Sequence, residues 1–298
     1  FNVRDMDAYT AIHTPSHMGQ LEVVRHLMTA KASLDAQQED GSTPLHLASH
    51  GGHAEVVHLL LTGRASPDLI DISGCTALHV AVQREHVGVV RLLAQGKASL
   101  NVQEEDGFTP AHMACTKGHL GMFRLLVEYK ADLHSCAANG RTLACSAAGY
   151  GHADILRLLG SLRVDLSART SLTSAGRCTT PLLRAVRKGH PHVVHVLAEH
   201  GVDMNRDHPL HVAARKAKVC VVAALLRHGA NSAILDADGR TAVGCLPKRS
   251  GSTLRRLLTM TGDPLYNFTT LCLASDARYW REVLRDEEAR MTTFLLGV

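Results

Sequence analysis

Along most of this chain, apolar residues fall in pairs of short runs divided by a Gly-His break, and a polar stretch follows each pair. In the segment from Thr43, TPLHLASHGGHAEVVHLLL, the first run holds Leu45, Leu47 and Ala48 and the second holds Val56, Val57, Leu59 and Leu60. Apolar spacings of this kind predict two short helices per segment. The second run is too apolar for a lone helix and needs a neighbour on each side. The pattern is periodic: Thr10, Thr43, Thr76, Thr109 and Thr142 each lie 33 residues after the last. A fixed interval of that size marks one supersecondary unit copied head to tail. Further copies begin at Thr180 and His208, and a degenerate eighth begins at Thr241.

Each repeat carries its own punctuation. The Thr suits a helix N-cap, and Pro after it suits the first helical position, where no N–H is needed. The break residue is Gly19, Gly52, Gly118, Gly151 or Gly189, as expected where a chain turns through the left-handed region. Glu85 and Ala217 stand in that slot in two copies, so those turns are expected to be looser or differently built. Pro15, inside the first helix of the first copy, predicts a distorted repeat there.

The T-P-L-H opening, the G-H break, the V-V-x-L-L second helix and the Gly229–Asn231 tail resemble ankyrin repeats. The resemblance covers residues 5–262 and recurs in eight registers. It implies an all-α solenoid of about eight helix–turn–helix repeats with β-hairpin-like fingers. The expected organisation is an array over 1–262, degenerate at both ends, and a C-terminal helical segment over 263–298. In this family the concave side, made of finger tips and first helices, usually takes the partner. The family also implies that His13, His46, His79, His112 and His211 hydrogen-bond along the stack. Asn101, Asn205 and Asn231 occupy a slot that asparaginyl hydroxylases modify in some members, although a turn-bonding Asn suits them better.

The array breaks its own rule once. Thr142 to Thr180 spans 38 residues and Thr180 to His208 spans 28. The gain falls in a polar stretch over 167–179, and the loss leaves only Arg206 and Asp207 between Asn205 and His208. A protruding finger beside a missing one is the expectation. The last 36 residues hold five of the eleven aromatics, which reads as a cap over the last repeat or as a docking helix.

Chemistry is sparse. The eight cysteines contain no C-x-x-C pair and fall at non-matching repeat positions, so a disulfide framework or zinc site is not expected. Cys115 and Cys145 lie within first helices, where small residues pack. Ten of the twenty histidines belong to the repeat itself, and His192 and His195 read better as surface residues than as metal ligands. No phosphate-binding loop, nucleophile elbow or paired-carboxylate motif is present. The sequence therefore predicts neither catalysis nor a cofactor. The longest apolar run, Val219–Leu226, is far shorter than a membrane span. Cysteine usage points to an intracellular, cytoplasmic setting. A chain opening at Phe1 rather than Met reads as part of something longer.

Charge supplies the functional hint. Residues 1–166 carry net −4, 167–262 net +10 and 263–298 net −2. The slots seven and eight residues after each repeat Thr lie at the end of the first helix. They hold Arg187 and Lys188 in one repeat and Arg215 and Lys216 in the next, with Arg177 nearby. The expectation is a wall for an acidic protein segment, with Phe108, Tyr129 and Tyr150 as aromatic anchors. The chain then reads as a non-enzymatic scaffold, adaptor or assembly subunit. Alternatives are an anionic-polymer or nucleic-acid binder, and a regulatory module of an enzyme whose catalytic part lies elsewhere. The basic repeats lack interleaved aromatics, which argues against nucleic acid.

Overall fold

The computed structural model describes residues 8–170, 179–247 and 252–259. Over these the chain is all-α, with fifteen helices and one isolated antiparallel bridge, Cys136 to Thr142. It divides into two compact units, 1–188 and 189–298. The first unit pairs α1 (His13–His17) with α2 (Leu21–Thr29), α3 (Pro44–Gly51) with α4 (Ala54–Thr62), and α5 (Ala77–Gln83) with α6 (Val87–Gln95). It continues with α7 (Pro110–Lys117) and α8 (Leu120–Glu128), then α9 (Leu143–Tyr150) and α10 (Ala153–Ser161), and ends on α11 (Pro181–Lys188). First helices stack on first helices, and second helices on second helices. The second unit holds α12 (Pro191–Glu199), α13 (Pro209–Arg215), α14 (Val219–Arg227) and α15 (Ser252–Thr259). The expected terminal segment over 263–298 and most of the long finger lie outside the described residues.

The repeat threonines do what their chemistry dictates. Thr43, Thr76 and Thr109 each cap their helix, with the side chain accepting from the backbone N–H three residues on. The His at that third position returns the bond, its Nδ1 accepting from the backbone N–H of the Thr. Its Nε2 donates to the next finger: His46 to the Cys75 carbonyl at 3.0 Å, His79 to Phe108 at 3.2 Å and His112 to Arg141 at 3.1 Å. His13 makes the same bond to Ala36 at 3.0 Å. Both ring nitrogens are thus used while the ring is neutral, and the rings are buried.

The break histidines run a second ladder in the opposite direction. His53, His86 and His152 donate Nε2–H to the carbonyls of His17, His50 and Thr116, each at the end of the preceding repeat's first helix. Those carbonyls have no partner within their own helix. Gly52 shows why the break is glycine: its φ is +73°, and a Cβ there would sit 2.7 Å from the His86 ring. Regular fingers are closed by two backbone bonds at one residue, such as Asp71, whose N–H donates to the Cys75 carbonyl and whose carbonyl accepts from the Gly74 N–H, both at 2.9 Å. Neighbouring tips join through Ile72 to Asp40, Glu105 to Ser73 and Ala138 to Asp106. Bonds confined to one residue of each finger, with one more between tips, give turns rather than strands. Asn231 follows the turn-bonding pattern, accepting from the Ala233 backbone N–H, whereas Asn101 and Asn205 reach across and accept from the backbone N–H of Asp132 and Asn231 in the next repeat.

Exceptions to the pattern resolve physically. Glu85 and Ala217 adopt the same left-handed turn as glycine, with φ of +65° and +50°. The residue before each, Arg84 and Lys216, still closes its helix with a bond to the carbonyl four residues back, at 3.0 and 3.2 Å. Pro15 accompanies a first helix of only five residues. The inserted finger leaves and re-enters between Thr170 and Thr179, both buried and paired at 2.9 Å, Thr170 N–H donating to the Thr179 carbonyl.

The shortened loop is the strained point of the second unit. Asp207 and His208 are consecutive left-handed residues, φ +64° and +54°. His208 replaces the capping Thr and caps nothing through its side chain. As a consequence the buried Nδ1 of His211 has no partner among the described residues. A non-glycine residue held in this region costs on the order of 1 kcal/mol. His208→Gly is therefore expected to stabilise the second unit by about 1 kcal/mol, raising the thermal midpoint by a few degrees. A lowered midpoint would mean that the edge contact between the His208 and His211 rings, 5.4 Å apart, outweighs the strain.

Candidate interaction surface

The slots at the ends of the first helices line up in register along the first unit. The His17 and His50 rings lie 5.6 Å apart, and Arg84 donates its guanidinium to His50 Nε2. Burial, then the charge of Arg84, holds His50 below the usual imidazole range. Further along come Lys117, then Tyr150, then Arg187 and Lys188 at the end of α11.

The C-terminal part of this unit gathers cations without neutralising them. Arg187 and Lys188 make no ion pair among the described residues, and neither does Arg184, one turn earlier on the same face of α11. Burial first, and then the charge of Arg141, disfavours the charged form of Arg184; Arg187 adds to this. Arg141 sits on the finger before α9 and lays its guanidinium 5.4 Å from the centre of the Phe108 ring. That ring also meets His112 edge-on at 5.7 Å. Tyr150 is 51% exposed and stacks on His152 with ring centres 6.4 Å apart. Tyr129 stands on a different kind of element, capping the C-terminus of the second helix α8.

In the second unit the predicted cations are less free. Arg215, at the end of α13, reaches Asp236 at 3.8 Å. The Asp236 carboxylate accepts the Arg240 backbone N–H and is thereby held down at about 2. Lys216 is exposed and in no ion pair among the described residues. Lys218 replaces the break histidine, its Nζ over Gly189 at a distance of 3.2 Å from where a Cβ would stand. Arg177 lies outside the described residues.

Two residues of this surface, Arg141 and Arg184, are absent from the sequence-based expectation. One signal was available. The slot four after the repeat residue carries Thr14, Leu47, Val80, Met113, Ser146, Val212 and Cys245, all uncharged, and an arginine only at 184.

Nothing here is arranged for covalent chemistry. Burial pushes the Cys115 and Cys145 thiols up, and Cys75 up to about 12, so none is a ready thiolate. His195 does not pair with His192 for a metal in this arrangement. Its Nδ1 lies 2.9 Å from His228 Nε2, and its Nε2 lies 3.1 Å from Glu199. Among the described residues no group of three His, Cys, Asp or Glu side chains is placed to hold a metal ion, and no helix is long and apolar enough to cross a membrane.

A family model described as ankyrin repeats (3 copies) matches residues 9–104, 95–170, 130–208, 166–236 and 182–264. A search of curated proteins finds no match to the chain.

Proposed function

Because the chain belongs to the ankyrin repeat family, whose repeats are generally non-enzymatic protein–protein interaction modules, we propose that it is a scaffold or adaptor that binds an acidic segment of a partner protein. The observation that carries this reading is the uncompensated charge at the end of α11. Arg187 and Lys188 stand beside Arg184 with no acidic side chain among the described residues to pair them. Cations kept unpaired in this way cost self-repulsion, and they steer and select acidic partners. Arg215 and Lys216 offer a second basic contact within their own unit, weaker because Asp236 already engages Arg215. Phe108 and Tyr150 add apolar area in the first unit, and aromatic groups of this kind dominate binding energy at interfaces.

The test is capture from the native source with mass spectrometry. It compares wild type with Arg187→Glu/Lys188→Glu and, separately, Arg215→Glu/Lys216→Glu. A defined set of proteins is expected on wild type, lost on the first variant and thinned on the second. Retention of the same proteins by both variants would move the contact elsewhere. Nucleic acid co-purifying in place of proteins would overturn the reading.

A further inference from the structure

Arg141 and Arg184 share an anomaly that the repeat architecture does not require. The inner Nε of each is buried and has no acceptor. A desolvated guanidinium nitrogen left unpaired costs free energy, more than a neutral group would. The stack makes room for this arrangement rather than avoiding it. Gly149, inside α9 and not in a left-handed conformation, leaves space where a Cβ would stand 2.8 Å from Arg184 Nε. Neither arginine finds a carboxylate among the described residues, and both side chains are only part-buried, with Nε the enclosed atom. The Phe108 ring fixes Arg141 from one side, which lowers the entropy lost when the guanidinium is engaged. Arg187 presents a third charge one turn along from Arg184.

We propose that Arg141, Arg184 and Arg187, flanked by Phe108 and Tyr150, form a carboxylate-binding subsite that receives aspartate or glutamate side chains from an extended segment of a partner protein. The inference rests on the interaction reading above and narrows it to one cluster within the first unit. Guanidinium groups engage carboxylates through paired N–H donors, and pre-positioned arginines convert that pairing into affinity with little ordering cost. A nucleic acid fits the cluster less well. Base stacking needs open aromatic faces, whereas Phe108 is already covered by Arg141 and only Tyr150 is exposed.

Fluorescence anisotropy tests this with a labelled nine-residue glutamate-rich peptide, its glutamine counterpart and an oligonucleotide of equal charge. The glutamate peptide alone is expected to bind wild type. Arg184→Met is expected to weaken it at least tenfold, with a thermal midpoint at or above wild type because an unpaired half-buried charge has been removed. Gly149→Ala is the sharper variant: it changes no charge and favours the helix, yet it displaces Arg184, and a several-fold loss is expected. Unchanged peptide affinity in both variants, alongside loss in Arg215→Glu/Lys216→Glu, would overturn the subsite and leave the interaction reading standing. Equal or tighter binding of the oligonucleotide would overturn both. Binding of no probe would overturn the carboxylate subsite.

Discussion

Acidification from pH 7 to pH 4 is expected to strip the first unit of most of its stability, with the decline beginning well above the range in which carboxylates are protonated. His79 and His112 are buried neutral, and desolvation holds each down at about 4 despite the carbonyls that accept their Nε2 protons. His46 is lowered for the same first reason. In the unfolded chain each titrates near 6.5, so between these values the unfolded state binds more protons than the folded one. The stabilisation is therefore complete above pH 6.5, falls as the pH drops and is gone once the pH is below the folded values. For His79 and His112 the separation amounts to roughly 3 kcal/mol each. Together they remove about 6 kcal/mol from a total that is typically about 5–15 kcal/mol. Urea midpoints by far-UV circular dichroism at pH 7, 6, 5 and 4 measure this directly. A decline beginning near pH 6.5 is expected, and a midpoint flat down to pH 5 would show that the rings are not held neutral by burial. Asp236, held at about 2, adds a separate loss only at lower pH.

The same histidines show why so much of the fold was legible. The Thr43–His46 cap and the left-handed turn at Gly52 act within one or two turns of themselves, so the information for cap and break is local in the sequence. A period of 33 then places every copy against the next. What escaped has a different origin. The acceptors of the break histidines are main-chain carbonyls of the preceding repeat, and a carbonyl carries no side-chain signature. Glu85 shows that the left-handed turn holds a side chain as well as glycine, because the turn is imposed by the packing of the two helices rather than by the residue in the slot. In the candidate site, Arg187 and Lys188 were legible because they repeat a register. Arg184 was not, because its meaning depends on Arg141, which the stacking of α11 on α9 places nearby across an irregular interval. The partial neutralisation of Arg215 by Asp236 was hidden for the same reason.

His79→Ala is expected to cost about 3–5 kcal/mol, the range found when a large buried side chain leaves a cavity and stranded polar groups. His79 is fully buried in the interior of the first unit. Its removal strands the Thr76 backbone N–H on one side and, on the other, takes from the Phe108 carbonyl one of its two bonds, leaving the one from the Glu104 N–H. The lost bond to Phe108 is one that couples a repeat to its neighbour. In a repeat array stability is the sum of each repeat and its interfaces, so a single weakened interface divides the cooperative unit. The expected denaturation curve therefore has two features, an earlier midpoint and a shallower slope, as the repeats before Thr76 uncouple from those after Thr109. His79→Gln separates the two causes, since it fills part of the cavity and retains a donor for the Phe108 carbonyl. Recovery of the slope by Gln but not by Leu would assign the coupling to the hydrogen bond. Equal recovery by both would assign it to packing alone and remove the ladder from its proposed role. Either replacement also removes the titrating ring, so the decline between pH 6.5 and 4 is expected to shrink by less than half, His112 and His46 keeping their shares.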